Sequence, residues 1–397
     1  MPLEHRAAAG RATSGLARTT VDSSVGSALR LQARACRPGA EFASAVPPMD
    51  AFREMARGLL REEAYPNDPG AKAGVEHIET HISHLFLTRD LVYKLRKPVF
   101  FGFVDFRTLE QRHADCLNEV RLNRRLAPDV YLGVAPVLRG PSGPEIGDLD
   151  EFIATPLAEH CVVMRRLPHG YDGESLLQSG HLSAEQIARL ARRIACFHQK
   201  SSIVWSASSD SWLDDTWSAV EANLDEIDDA TVTGDDRRLL DTVRKRTRSE
   251  HALRRSALAA RLDAGRVVDG HGDLRLEHVW FEPGRTRPLA IDGVEFSQEL
   301  RRIDPVSDLA FLTMDLRWNL RDDLAERALS EYASATDDYG IYEVVAYFEA
   351  YRACVRAKVA HLKRPTARVK DHEKIDAARR GTLFPYTTLF RSRKSVV

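Results

Sequence analysis

The sequence predicts an α+β protein of two lobes, a small β-rich one and then a larger, mainly helical one. Three observations carry this expectation. Residues 82–96 alternate with the period of two that a half-buried hairpin requires. From Ser183 onward, apolar residues recur at the three- and four-residue spacing of buried helix faces. Within that helical half a second short hairpin, Val279 to Ile291, is bracketed by two aspartates, Asp273 and Asp292. A chain of 397 residues is long enough for two lobes with a sizeable core.

Composition narrows the function classes. Charges nearly cancel, at a formal net of −1, and no basic face suited to nucleic acid stands out. No apolar run is long enough to cross a bilayer. The five cysteines (Cys36, Cys116, Cys161, Cys196 and Cys354) are scattered, with no Cys-x-x-Cys pair. They read as small buried residues of a reducing compartment, neither a disulfide frame nor a zinc site. A soluble cytoplasmic enzyme without nucleic-acid or membrane partners fits all of this.

Both chain ends look foreign to the fold. Residues 1–48 are rich in Ala, Arg, Ser and Gly without sustained periodicity, and disorder is expected there. A transit peptide and a start codon placed upstream of the true one are equal alternatives, the second leaving Met49 as the natural beginning. Gly381 to Ser392 resembles a translated sequencing adapter, so residues 381–397 are expected to be a non-biological tail. Between these ends, 49–75 is expected as a helical lead-in, 76–165 as the small lobe and 166–380 as the large lobe.

In the small lobe, Ile82 to Leu87 turns at Thr88-Arg89-Asp90 and returns as Leu91 to Arg96. On the returning strand Leu91, Tyr93 and Leu95 share one face, and Val92, Lys94 and Arg96 the other. His77, His81 and His84 invite a metal reading, but strand alternation would put His84 on the face opposite the other two. Solvated or hydrogen-bonded histidines are therefore expected. Residues 108–126 form a helix, with Thr108 as cap, Pro128 as stop, and Leu109, Cys116, Leu117 and Val120 as its apolar stripe. Glu119 borders that stripe. A further strand, Cys161 to Arg165, runs out toward Pro168.

In the large lobe, Ser183 and Gln186 form a capping box, and Ile187, Leu190, Ile194 and Phe197 mark one buried helix face. Residues 210–262 are helical, acidic first and then basic, and 321–379 give further helices, including Tyr342 to Leu362. Between them lies Gly270-His271-Gly272-Asp273-Leu274-Arg275-Leu276-Glu277-His278, then the hairpin with its turn at Glu282-Pro283-Gly284-Arg285, then Asp292. Phosphoryl transfer requires two carboxylates placed in this way: one orients and deprotonates the attacking hydroxyl, the other holds the metal that neutralises the phosphates. Gly270-His271-Gly272 also opens a dinucleotide fingerprint superficially, but it lacks the third glycine and leads into a hairpin. Asp304-Pro305, taken alone, is a helix start. No Gly-x-Ser-x-Gly elbow appears, which excludes a serine hydrolase of that type.

These residues together resemble the aminoglycoside phosphotransferase-like family, which shares the protein-kinase fold. His271-Gly272-Asp273 resembles its catalytic loop, Asp292-Gly293-Val294 its metal loop, and Asp304-Pro305-Val306-Ser307-Asp308-Leu309-Ala310 its Asp-Pro-x-x-Asp-Leu-Ala signature. The resemblance implies ATP and Mg²⁺ as cofactors, with Mn²⁺ as the alternative ion. It makes Asp273 the catalytic base, places Arg275 at the lysine that approaches the transferred phosphate, and makes Asp292 a metal ligand. His278 stands where the family has a metal-binding asparagine, and two readings stay open: a ligand favouring a softer ion, or a structural cap of the loop. Lys94 falls on the phosphate-binding lysine and Val92 on the adenine-facing alanine of the same strand. Glu119 is the expected partner of Lys94, preferred over Glu110, whose place at the helix start has a simpler dipole explanation. Lys97, the rival lysine, lies on the opposite face beside Pro98. Adenine would take backbone hydrogen bonds near Met164 and Arg165. No glycine-rich loop precedes the hairpin, so Thr80-His81-Ile82-Ser83 would cover the phosphates.

The expected activity is ATP-dependent transfer of the γ-phosphate to a hydroxyl of a small molecule, whether aminoglycoside-like, a sugar or an amino alcohol. Glu343, Tyr347, Glu349 and Tyr351 are candidates for the acceptor pocket. The alternative is a catalytically weak or inactive nucleotide-binding regulatory module, suggested by His278 and the missing glycine-rich loop. The subgroup often carries a C-terminal P-loop ATP-binding domain. No Gly-x-x-x-x-Gly-Lys-Ser/Thr occurs here, so that domain is either absent or cut off.

Overall fold

The computed structural model describes residues 49–362 apart from 102–103, 141, 150–158, 202, 204–207, 228–231 and 233. The expectations for residues 1–48, 363–379 and 381–397 lie outside the described residues. The fold class is the expected one: a small lobe built on an antiparallel sheet, then a larger helical lobe.

The small-lobe sheet contains β1 (Glu76–Glu79), β2 (Ser83–Leu87), β3 (Leu91–Arg96), β6 (Tyr131–Gly140), β7 (Gly143–Ile146) and β8 (Glu159–Arg165), in the order β1-β2-β3-β8-β6-β7. A short pair, β4 (Phe100–Phe101) and β5 (Val104–Asp105), stands beside it. Alternation along β3 works as predicted. Tyr93 and Leu95 enter one core with Phe86, Val163, the apolar face of helix α1 (Met49–Gly58), namely Phe52 and Ala56, and Leu59 just beyond it. The other face of the sheet packs against helix α2 (Leu109–Asn123), where Cys116 and Val120 meet Val134 and Val162.

Helix α2 opens with the expected cap, a capping box between Thr108 and Gln111. Its expected apolar stripe needs correction. Leu117 is 48% exposed, whereas Arg112, Asp115, Glu119 and Asn123 are buried with Cys116 and Val120. The helix turns about 100° per residue, so Leu117 rotates away from the line through Cys116, Glu119 and Asn123. The buried line is half polar because it meets charged partners. A second correction concerns the histidines. His77 and His84 lie on adjacent strands, stacked, with Nε2 and Nδ1 at 2.9 Å. Alternation within one strand does not apply across a hairpin, and the pair is hydrogen-bonded.

In the large lobe follow α3 (Gly173–Gln178), α4 (Ala184–Lys200), α5 (Ser209–Ile227), α6 (Gly234–Asp263), α7 (Pro305–Trp318), α8 (Asp322–Thr336) and α9 (Ile341–Leu362). The acidic α5 and basic α6 face each other, with ion pairs such as Arg244–Asp225 and Arg255–Asp214. Helix α7 runs through the middle, buried almost all round from Pro305 to Met314. Between α6 and α7 lie β9 (Val268–Asp269), β10 (Val279–Trp280), β11 (Leu289–Ala290) and β12 (Arg302–Ile303), the second hairpin forming where it was expected, with Val279 opposite Ala290. Of the four described cysteines, Cys196 is exposed, against expectation, and the other three are buried. Among the described residues no helix is long and apolar enough to cross a membrane.

Candidate active site

The site forms where β3 and α2 of the small lobe meet the loops 271–278 and 292–295 of the large lobe. Lys94 Nζ donates to Glu119 Oε1 at 2.8 Å and to Asp292 Oδ1 at 3.1 Å. Burial alone would depress this ammonium, but Asp292 and Glu119 more than offset it and hold it well above the usual lysine range. Lys94 in return holds the Asp292 carboxyl below the usual carboxylate range. Lys97 lies elsewhere, paired with Glu79 and the Thr80 carbonyl.

The loop carrying Asp273 is fixed through its backbone. The His271 and Gly272 amides donate to Asp308 Oδ2 and Oδ1, at 2.6 and 2.8 Å, and the Leu276 amide donates to Asp315 Oδ2 at 3.2 Å. Both carboxylates belong to α7, so one helix clamps the loop on either side of Asp273. The glycines are required by close approach. A Cβ at Gly270 would come within 2.6 Å of Asp308 Oδ2, and Gly272 has φ +84° with Val294 2.9 Å from where its Cβ would be. His271 contacts the Ile291 carbonyl through Nε2 at 3.0 Å and the Asp273 amide through Nδ1 at 3.3 Å. These partners assign the proton to Nε2, and burial pushes the ring down to about 4, so it is neutral at pH 7.

Asp292 is a non-glycine residue at φ 59°. Such left-handed backbone costs on the order of 1–3 kcal/mol and persists only where surroundings over-determine it. Here they do. The Asp292 amide donates to Tyr131 Oη at 3.1 Å, the Gly293 amide to Asn123 Oδ1 at 2.8 Å, and the Val294 amide to the His271 carbonyl at 2.9 Å. This geometry aims the Asp292 side chain at Lys94 and leaves it half exposed.

His278 stands between the two aspartates, Nδ1 3.5 Å from Asp273 Oδ2 and Nε2 3.7 Å from Asp292 Oδ2. Both ring nitrogens have protein partners: Nδ1 meets the Asp273 carbonyl at 2.9 Å, and Nε2 meets the Arg275 guanidinium at 3.0 Å. An arginine donating into Nε2 occupies the lone pair that a metal would need. The donor set therefore fits Mg²⁺ held through Asp292, waters and phosphate oxygens, the usual pattern for this ion, more readily than a metal on His278. Arg275 also pairs with Asp273 Oδ1 at 3.0 Å and with Glu277.

Val92 is buried and lies in register with Met164 of β8. The Arg165 amide donates to the Val130 carbonyl and the Arg166 amide to the Asp90 carbonyl, while the Arg165 side chain is paired with Glu282. Of the backbone groups near Met164 and Arg165 that were expected to meet adenine, the Arg165 amide is thus already taken by Val130. What the region offers is apolar: Met164 at the end of β8, Leu167 just after it, and Trp280 and Ile291 from the large lobe are partly buried against a shared core. Of the proposed acceptor residues, Tyr347 and Glu349 are buried, bonded to His251 and to Thr313 and Arg317 respectively. They belong to the core, a position that a surface-like helix sequence does not reveal. A hollow of about 670 Å³ lies apart from Asp273 and Lys94, lined by Phe106, Leu117, Asn118, Arg121 and Glu295.

Sequence reasoning missed Arg96, Asn123, Tyr131, Asp315 and His198 as parts of this assembly. Arg96 had a signal in its place on the Lys94 face of β3, and His198 in its place at the end of the helix from Ser183. His198 Nε2 lies 3.2 Å from Asp308 and its Nδ1 2.9 Å from Tyr332 Oη, so it buttresses the loop clamp.

No family model matches the chain. An uncharacterized protein of Mycobacterium bovis is 34% identical over 290 residues, which cover 71% of this chain and 53% of the relative. Two uncharacterized proteins of Mycobacterium tuberculosis match with the same figures. The chain thus spans about half the length of the curated relatives it matches. Among solved structures, a choline/ethanolamine kinase family protein from Mesorhizobium loti aligns at a TM-score of 0.47 and 14% identity, covering 87% of this chain and 94% of that one. An ethanolamine kinase of Plasmodium vivax aligns at 0.43 and 12% identity, covering 80% and 83%. A glucosamine kinase aligns at 0.43 and 14% identity, covering 88% and 87%.

Proposed function

We propose that this chain is an ATP-dependent phosphotransferase acting on a hydroxyl of a small molecule. The observation that carries the reading is the placement of Lys94 Nζ within 3.1 Å of both Glu119 and Asp292, next to a backbone-clamped loop that presents Asp273. Lys94 would hold ATP phosphates, and the apolar side chains Met164, Leu167, Trp280 and Ile291 would take the purine. Bound through Asp292, Mg²⁺ would supply charge neutralisation at the phosphates. The acceptor oxygen forms a bond to the γ-phosphorus as the bond from that phosphorus to the β–γ bridging oxygen breaks. ADP leaves, and the hydroxyl proton passes to Asp273. Arg275, 3.0 Å from Asp273, is placed to meet charge developing on the transferred group.

One observation favours a second reading, a nucleotide-binding module without turnover. Asp273 is engaged by Arg275 and lies beside His278, so its carboxylate is not free in this state. ATP binding by the full chain with Mg²⁺ and with Mn²⁺, followed by ADP formation across a panel of sugars, amino alcohols and aminoglycosides, separates the two. Asp273→Asn is expected to keep ATP affinity and to lower turnover by roughly 10²–10⁴-fold. ATP binding without ADP formation from any acceptor would favour the module. No ATP binding at all would remove both readings.

A further inference from the structure

Lys94 is not the only cation of this cradle. Two residues along the same face of β3, Arg96 is 1% exposed and makes four side-chain contacts. Its Nε lies 2.7 Å from Asp115 Oδ2, and one Nη lies 2.7 Å from Glu119 Oε2 and also meets Glu295. The other Nη donates to Ser83 Oγ at 3.0 Å. The three acids offer oxygens within 4.8 Å of one another, a spacing that would suit a cation. The guanidinium is that cation.

We propose that Arg96 is a positioning residue for the nucleotide-phosphate site, holding Glu119 against Lys94 and tying helix α2 to the segment that follows Asp292. Glu119 has two carboxylate oxygens, and each has its own cation: Oε1 takes Lys94 and Oε2 takes Arg96. With only Lys94 as partner, Glu119 would be free to rotate about its side chain. A guanidinium on the second oxygen fixes the plane of the carboxylate, because its donors form a rigid fork. Glu295 lies three residues beyond Asp292; Asn118 of α2 donates to its carbonyl at 2.5 Å and Arg96 of β3 pairs with its carboxylate, so α2 and β3 each grip this segment. Burial pushes the Glu295 carboxyl up to about 7, with Arg96 and Lys94 opposing. Removing the arginine would leave buried carboxylates to repel one another, and α2 would have to move outward.

This inference rests on the phosphotransferase reading, and its test keeps the two apart. The full-length protein is compared with Arg96→Lys, Glu119→Gln and the double variant by calorimetric titration with ATP and Mg²⁺. Lysine keeps the charge but loses the fork, so the protein is expected to fold while ATP affinity falls about tenfold, with a similar fall for Glu119→Gln. The double variant is expected to be no weaker than the worse single one, because both remove the same coupling. Hydrogen exchange on Glu295→Gln supplies a second measurement, with faster exchange expected in α2 and in residues 293–296. Arg96→Lys with wild-type ATP affinity, losses that multiply in the double variant, or unchanged exchange in Glu295→Gln would each overturn the assignment. A wild-type protein that binds no ATP would overturn the phosphotransferase reading first, before any variant is compared.

Discussion

Helices α2 and α7 both bring carboxylates to the site, but they secure them against different partners. From α2, Glu119 and Asp115 meet the side chains of Lys94 and Arg96. From α7, Asp308 and Asp315 meet backbone amides of the loop around Asp273. An amide cannot rotate away or change its charge, so the α7 clamp fixes the loop by geometry. The α2 contacts depend on charge balance among long side chains, so that half of the site can be disturbed without unfolding the protein. The loop that carries Asp273 is held through its main chain, and the cradle around Lys94 through side chains.

The largest effect that would break this comparison belongs to Asp308. Asp308→Ala leaves two buried amides and the His198 ring without their acceptor, and is expected to cost about 3–5 kcal/mol in urea unfolding. A cost no larger than that of substitutions in the α2 network would show that the amide clamp is not the firmer of the two. Lys94→Met is expected to cost less, about 1–2 kcal/mol, because Glu119 keeps Arg96, while ATP affinity measured by titration is lost. If Lys94→Met unfolds the protein instead, the network lacks the redundancy described.

Asp315→Asn sharpens the comparison through pH. Burial pushes the Asp315 carboxyl up to about 6, with Arg356 opposing. A carboxyl whose folded value is raised contributes stability that is present at low pH and lost as pH rises through about 6. Asparagine still accepts the Leu276 amide and carries no charge to bury. The melting temperature of Asp315→Asn relative to wild type should therefore shift in the variant's favour by a few degrees between pH 4 and pH 7.5. A constant difference across that range would remove Asp315 as a titrating group. The smallest expected effect is at Leu117, on the exposed flank of α2, where Leu117→Gln should change stability by no more than about 0.5 kcal/mol. A larger loss would restore the apolar stripe that the sequence suggested.

Much of the fold was legible because local rules governed it. The cap at Thr108, the capping box at Ser183, the Asp304-Pro305 start, the alternation along β3 and the hairpin from Val279 all follow from local patterns in the sequence. The failures fell where a long-range partner overrode the local pattern. Leu117 looked like core because leucine favours burial, but the inward line of α2 was taken by charged residues that had partners waiting on β3. Tyr347 and Glu349 were candidates for the acceptor pocket because nothing nearby in sequence announces Thr313, Arg317 or His251.

The sequence by itself singled out Lys94, Asp273 and Asp292 as candidates, through the resemblance of the strand, loop and hairpin segments that carry them. Tertiary structure alone decided what holds them. Tyr131 and Asn123, distant in the chain, keep Asp292 in a left-handed conformation it would not otherwise adopt. Asp308 and Asp315 of α7, also distant in the chain, hold the backbone amides of the loop around Asp273. The physical reason is common to both cases: a buried polar group takes whichever partner the fold delivers, and that partner is set by packing across the chain, not by neighbours along it.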